Sequence, residues 1–172
     1  MTREPEQLPE LTLALRTLGS RRGRRGAGPE HERFFAPLLE ARRAAARAGD
    51  VETAVRSFDA ARLTSTFDKT IRSIAVDRAP SNRAPARRAL EARLLERAEP
   101  LRDALTELGH LAEELLQADD ASQDVAWERW AVQLRVVFEC ADRCWPGIDA
   151  ALSATSPPRR GSFARLFRRR RS

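Results

Sequence analysis

The chain has 172 residues, enough for one domain with a sizeable core, and its 42% apolar content comes from Ala and Leu more than from Val and Ile, a balance that favours helix. The net charge of +6 is unevenly placed: residues 156–172 carry seven Arg and no acid, residues 20–28 carry four Arg, and residues 29–155 sum to −4. A mildly acidic body with basic ends argues against a basic helix face built to read DNA, and for ends that find an anionic surface.

No apolar run approaches the roughly 18 residues that a bilayer span requires. The opening MTREPEQLPE is acidic and contains Pro, unlike a signal peptide, so the expected compartment is the cytoplasm. Arg outnumbers Lys thirty to one and Tyr is absent. Codon usage in a GC-rich genome accounts for both, so Arg identity alone says little about bidentate recognition.

Residues 8–18, LPELTLALRTL, place Leu8, Leu11, Leu15 and Leu18 on one side of a short helix, with Pro9 in its first turn. So short a helix is expected to dock on the body or to await a partner. The linker SRRGRRGAG follows, with Arg21, Arg22, Arg24 and Arg25, and its composition predicts a mobile segment. Pro29 or Pro37 then opens the first long helix, to about Ala48, with a narrow seam of Phe34, Leu38, Ala41, Ala45 and Ala48. Gly49-Asp50 reads as a left-handed stop followed by an N-cap.

The run AGDVETAVRSFDAA resembles the turn and second helix of a tetratricopeptide repeat, with Gly49, Asp50, Ala54, Phe58 and Ala61 at matching places. The resemblance covers about one repeat. Arg42 and Ala45 stand where that family has a small residue and an aromatic, and Thr66 stands where it has proline. Nothing recurs at the spacing of about 34 residues that a solenoid requires, so the run reads as an ordinary helical hairpin. In the second helix Val51, Val55 and Phe58 share one face, while Leu63, Phe67, Ile71 and Ile74 lie nearly opposite. A bend near Leu63–Thr66 reconciles them, with Ser65 and Asp68 suited to a fresh cap.

APSNRAPA breaks the chain at 79–86. Leu94, Ala98, Leu101, Leu105, Leu108, Ala112 and Leu115 then alternate by four and three, the spacing of a coiled coil, in phase across Pro100. They predict one kinked but continuous helix about 50 Å long. Asp119-Asp120 turns the chain, Asp120 and Gln123 resembling a capping box. The last long helix carries all three tryptophans, in the stripe Trp127, Trp130, Leu134, Val137, Ala141, Trp145 and Ile148. It is expected to bend or stop at Pro146-Gly147, leaving Ile148, Ala151 and Leu152 as a last short turn. The fold predicted is all-α: an antiparallel up-and-down four-helix bundle over 29–153, preceded by a short helix and linker (1–28) and followed by a tail (154–172). The two cleanest stripes, Leu94–Leu115 and Trp127–Ile148, are expected to pack together at its centre.

Chemistry-bearing patterns are sparse. Glu107 and His110 have the E-x-x-H spacing of di-iron bundles, but no second copy exists, and His110 points away from the leucine stripe. Cys140 and Cys144 lie one turn apart without the other ligands of a zinc site and read as core-filling thiols. RRGRRGAG lacks the Gly-Lys-Ser/Thr ending of a phosphate loop. The adjacent acids Glu113-Glu114 and Asp119-Asp120 read as solvated surface. No catalytic residue, cofactor or metal is assigned, and enzymatic activity is not expected.

One stretch carries a physical signal. In GSFARLFRRRRS, Phe163, Leu166 and Phe167 fall on one side of a helical wheel and Arg165, Arg168 and Arg169 on the other, with Arg170 and Arg171 following. That is a small amphipathic surface helix, apolar below and basic above. The expectation is a helical-bundle adaptor, held reversibly at the inner face of an anionic membrane by this tail and offering a helical face to a protein partner or to itself. The rival is a nucleic-acid-associated protein whose linker and tail Arg neutralise phosphates without reading sequence.

Overall fold

Pro29 fixes the backbone for a first helical turn, Glu30 and Glu32 complement the positive end of the helix dipole, and Arg42 and Arg43 complement the other end. In the computed structural model, which describes residues 28–79 and 84–155, these residues form α1 (Pro29–Ala45). It is followed by α2 (Val51–Arg56), α3 (Ala60–Arg78), α4 (Ala84–Gln117) and α5 (Gln123–Thr155). No strand occurs among the described residues. The expected helix at Leu8–Leu18, the linker arginines and the tail from residue 156 lie outside them.

Four long helices pack against one another. The pairing of α4 with α5 is the most extensive, as the two unbroken stripes predict. Along α4, Leu90, Leu94, Ala98, Leu101, Ala104, Leu105, Leu108, Leu111 and Leu115 are buried. Along α5, Trp127, Trp130, Leu134, Val137, Phe138, Cys140, Ala141, Cys144, Ile148 and Leu152 are buried. Phe34, Phe35 and Leu38 from α1 and Phe67, Ile71 and Ile74 from α3 complete one continuous core. Trp145 is half-buried, with His31 against it at a ring separation of 5.0 Å and Phe34 at 5.6 Å.

Polar contacts fix the register. Glu30 pairs with Arg78 at 2.7 Å and Arg33 with Asp77 at 2.6 Å, so the start of α1 lies beside the end of α3. Arg72 pairs with Glu91 at 3.1 Å and Asp68 with Arg102 at 3.5 Å, which sets α3 against α4 in the opposite sense. Near the α4–α5 turn Arg129 pairs with Glu114 at 2.7 Å, and further along the Gln133 amide donates to the Ala104 carbonyl at 2.9 Å. The exposed pairs among these, such as Arg129 with Glu114, contribute at most about 1 kcal/mol each, so they specify alignment more than stability.

Several boundaries differ from the sequence expectation. The bend placed at Leu63–Thr66 falls earlier, at Ser57–Asp59, and the cap is Asp59, whose carboxylate accepts from Arg62 N–H at 2.9 Å. Ser65 and Asp68 lie inside α3 and cap nothing. The break leaves α2 only six residues long, so the run resembling a tetratricopeptide hairpin does not form that family's second helix. It also lets Val55 and Phe58 be buried alongside Leu63 and Phe67. Asp50 caps α2 as expected, accepting from Thr53 N–H at 2.7 Å and Thr53 Oγ1 at 2.8 Å. Gly49, by contrast, does not take the left-handed conformation, and the α1 cap residue Ala46 stays right-handed at φ −67°.

Before α5 the turn-forming acid is Asp119, not Asp120. Its carboxylate accepts from Ser122 N–H at 3.0 Å and Ser122 Oγ at 2.5 Å. Pro100 lies inside an unbroken α4. Pro146 likewise fails to stop α5, which runs on to Thr155. Both prolines are exposed, so the carbonyl that each leaves without its helical donor is on the side open to water.

Candidate functional site

The residues assigned to anionic-surface binding, Phe163, Arg165, Leu166, Phe167, Arg168, Arg169, Arg170 and Arg171, lie outside the described residues. What the fold settles is where their segment starts. Helix α5 holds its apolar stripe inside the bundle as far as Leu152, so its core-facing side is already covered when the chain leaves at Thr155.

Within the described residues an open groove of about 870 Å³ lies along α2, α3 and α4, with Phe58, Ala61, Lys69, Arg72, His110 and Glu113 among its walls. Gly109 and Ala60 line it at a close crossing. A Cβ on Gly109 would stand 2.9 Å from the Ala60 Cβ, so α4 approaches the start of α3 where it has no side chain. Asp68 borders the groove, and its Oδ1 and Arg102 Nε are buried without hydrogen-bond geometry, although the two atoms are only 3.5 Å apart. The charge along this groove is mixed. Lys69, Arg72 and Arg56 share it with Asp59, Asp68 and Glu113, so it does not select one sign of ligand.

His110 is exposed at the groove wall, in keeping with its placement off the leucine stripe. Among the described residues no three His, Cys, Asp or Glu side chains are gathered as a metal site would need. Cys140 and Cys144 are free and buried, packed into the α4–α5 core as expected. Burial pushes the Cys144 thiol upward, against a smaller opposing effect from the Leu101 backbone. Arg143 Nη2 donates to Cys140 Sγ at 3.4 Å. A raised thiol in an apolar setting is a poor nucleophile.

Two aspartates are shifted the other way. The Thr53 amide and hydroxyl hold Asp50 below the ordinary aspartate value, and the Ser122 hydroxyl and amide do the same for Asp119. Both groups form turns at the surface, and neither lines the groove. The Trp130 indole N–H is a further feature that the sequence did not reveal: it is fully buried, among Phe58 and Trp127, with no acceptor. Large apolar side chains left exposed among the described residues are Val76, Leu116, Val125 and Val132. No described helix is long and apolar enough to cross a membrane. No protein-family model matches the chain, and no curated protein or solved structure matches it either.

Proposed function

We propose that this protein is a non-enzymatic adaptor, an antiparallel up-and-down four-helix bundle whose C-terminal tail associates reversibly with an anionic membrane surface from the cytoplasmic side. The observation that carries the reading is the division of Phe163, Leu166 and Phe167 from Arg165, Arg168 and Arg169 within one short segment. Each Arg near an anionic leaflet contributes about 1 kcal/mol, and burial of two Phe and a Leu adds roughly 1.5–3 kcal/mol per side chain when complete. The body supports the reading by what it has already covered: among the described residues all but a few large apolar side chains are inside. Its helical faces are then available to a protein partner or to a second copy of the chain.

Flotation with phosphatidylserine-containing vesicles tests this. The wild-type chain should float, and Phe163→Ala with Phe167→Ala should abolish flotation while leaving thermal unfolding unchanged. If the rings prove dispensable and a nucleic-acid mobility shift is strong, salt-sensitive and indifferent to sequence, the tail is a phosphate-neutralising arm instead.

A further inference from the structure

Helix α5 carries a second periodic stripe besides the one inside the bundle. Val125, Arg129, Val132, Val136, Glu139 and Arg143 alternate by four and three residues, so they share roughly 80° of the helix circumference, opposite Trp130, Leu134 and Ala141. Val136 is half-buried and the other five are exposed. Among the described residues the exposed large apolar side chains are Val76, Leu116, Val125 and Val132. The two on α5 both belong to this stripe, at 60% and 53% exposure. Alternation by four and three is also the spacing at which two helices coil around each other.

The order of residues along the stripe is self-complementary. A two-fold axis crossing α5 level with Leu134 sets residues equidistant from Leu134 against each other in two copies. Val132 then meets Val136 of the partner subunit, Arg129 meets the partner's Glu139, and Val125 meets the aliphatic stem of the partner's Arg143. The symmetry makes each contact twice. A parallel pairing instead sets arginine on arginine at 129 and acid on acid at 139. Sliding the antiparallel pair by one heptad, in either direction, takes Arg129 away from Glu139. A merely solvated face needs neither valines in register nor opposite charges at equal distances from one point.

We propose that this outer stripe of α5 binds a second copy of the chain, in an antiparallel two-fold pair centred on Leu134. The proposal rests on the adaptor reading only in naming the copy to which a helical face is offered, and the membrane arm of that reading is independent of it. The stripe is about 27 Å long. One helix against one helix over that length buries less than the roughly 800 Å² per partner of a standard interface. Arg135 flanks the stripe and is brought near its own copy, a like-charge contact that weakens the pair further. The expected dimer is therefore weak, with a Kd on the order of 10–100 μM.

The test is sedimentation velocity of the full chain from about 5 to 500 μM, a range that brackets that Kd. The sedimentation coefficient of the wild type should rise with concentration toward that of a dimer. Val132→Asp should weaken association at least about tenfold, because it sets a carboxylate against the partner's Val136. Arg129→Glu should weaken it about as much, since both Arg–Glu pairs become Glu–Glu. Arg129→Glu with Glu139→Arg in one chain reverses both pairs and should return the Kd to within about threefold of the wild type. Arg129 also pairs with Glu114 of its own chain, and the second substitution does not restore that contact, so recovery reports the seam rather than the fold. All the substituted side chains are exposed, and urea midpoints check that each variant remains folded. A wild type that stays monomeric throughout refutes the self-contact, leaving the stripe to water or to a different protein, while vesicle flotation still decides the membrane reading. A dimer indifferent to Val132→Asp, or one that Arg129→Glu weakens and the double reversal does not recover, also refutes it.

Discussion

Gly109→Ala should destabilise the protein, against the usual effect of that change in a helix. In an open helix interior, Ala is favoured over Gly by about 1 kcal/mol. Here the new Cβ would stand 2.9 Å from the Ala60 Cβ, an atom fixed to the α3 backbone rather than the end of a flexible side chain. Carbon atoms pack best at roughly 3.5–4.0 Å, so α3 and α4 must separate by several tenths of an ångström or more along a shared core. Such overpacking costs about 1–3 kcal/mol. The net effect should be a loss of about 1 kcal/mol, or about 2–4 °C in Tm for a domain of this size. Ala60→Gly supplies the control. In that background the opposing atom is gone, and Gly109→Ala should become stabilising, with a favourable coupling on the order of 1–2 kcal/mol. Urea denaturation of the four proteins, compared at constant slope, measures the cycle. Equal stabilisation by Gly109→Ala in both backgrounds would refute the close crossing.

Trp130→Ala should cost about 3–5 kcal/mol as a core truncation. Trp130→Phe should cost well under half of that, because it also removes a buried N–H that has no acceptor; equal losses in urea titrations would contradict this. Acid should weaken the fold through Asp50 and Asp119, whose carboxylates are held below the ordinary aspartate value, the one they have in the unfolded chain. Their contribution is complete above that unfolded value and is lost as the pH falls through the lower folded value. The double variant Asp50→Asn, Asp119→Asn should therefore show a flatter stability profile below about pH 4, measurable by thermal unfolding. Cys140 and Cys144 should resist a chromogenic disulfide reagent at mildly alkaline pH and react only at the rate of unfolding, because both are buried and the Cys144 thiol is raised. Immediate reaction of both in the native protein would overturn that placement.

The core of this fold was largely written in periodicity. The stripe Leu94–Leu115 could be followed across Pro100 because seven side chains agree on one phase, and that agreement outweighs one missing N–H on an exposed face. At Pro146 the local and the periodic signals conflict. Ile148 and Leu152 continue the tryptophan phase, yet Pro-Gly read locally suggests a stop. Caps were the weakest signals, since single polar residues compete on equal terms: Asp59 over Ser65, and Asp119 over Asp120, were decided by which amide lay within reach. The basic tail was legible as a pattern. The meeting of His31 on α1 with Trp145 on α5 was not, because it depends on the number and sense of all the long helices rather than on any one stretch. The groove beside Gly109 and the orphan Trp130 N–H are equally non-local, being products of pairs of residues separated by many turns.

The placement of the three indoles gives this chain two internal spectroscopic reporters. Trp127 and Trp130 lie 5.5 Å apart near the α4–α5 turn, close enough to share excitation, whereas Trp145 stands at the other end under a cover made by His31, Phe34 and Phe35 of α1. Detachment of α1 alone would therefore wet one emitter and leave the couplet dry, while global melting would change both. Early fraying and complete loss of structure should be separable in the near-ultraviolet without any added dye.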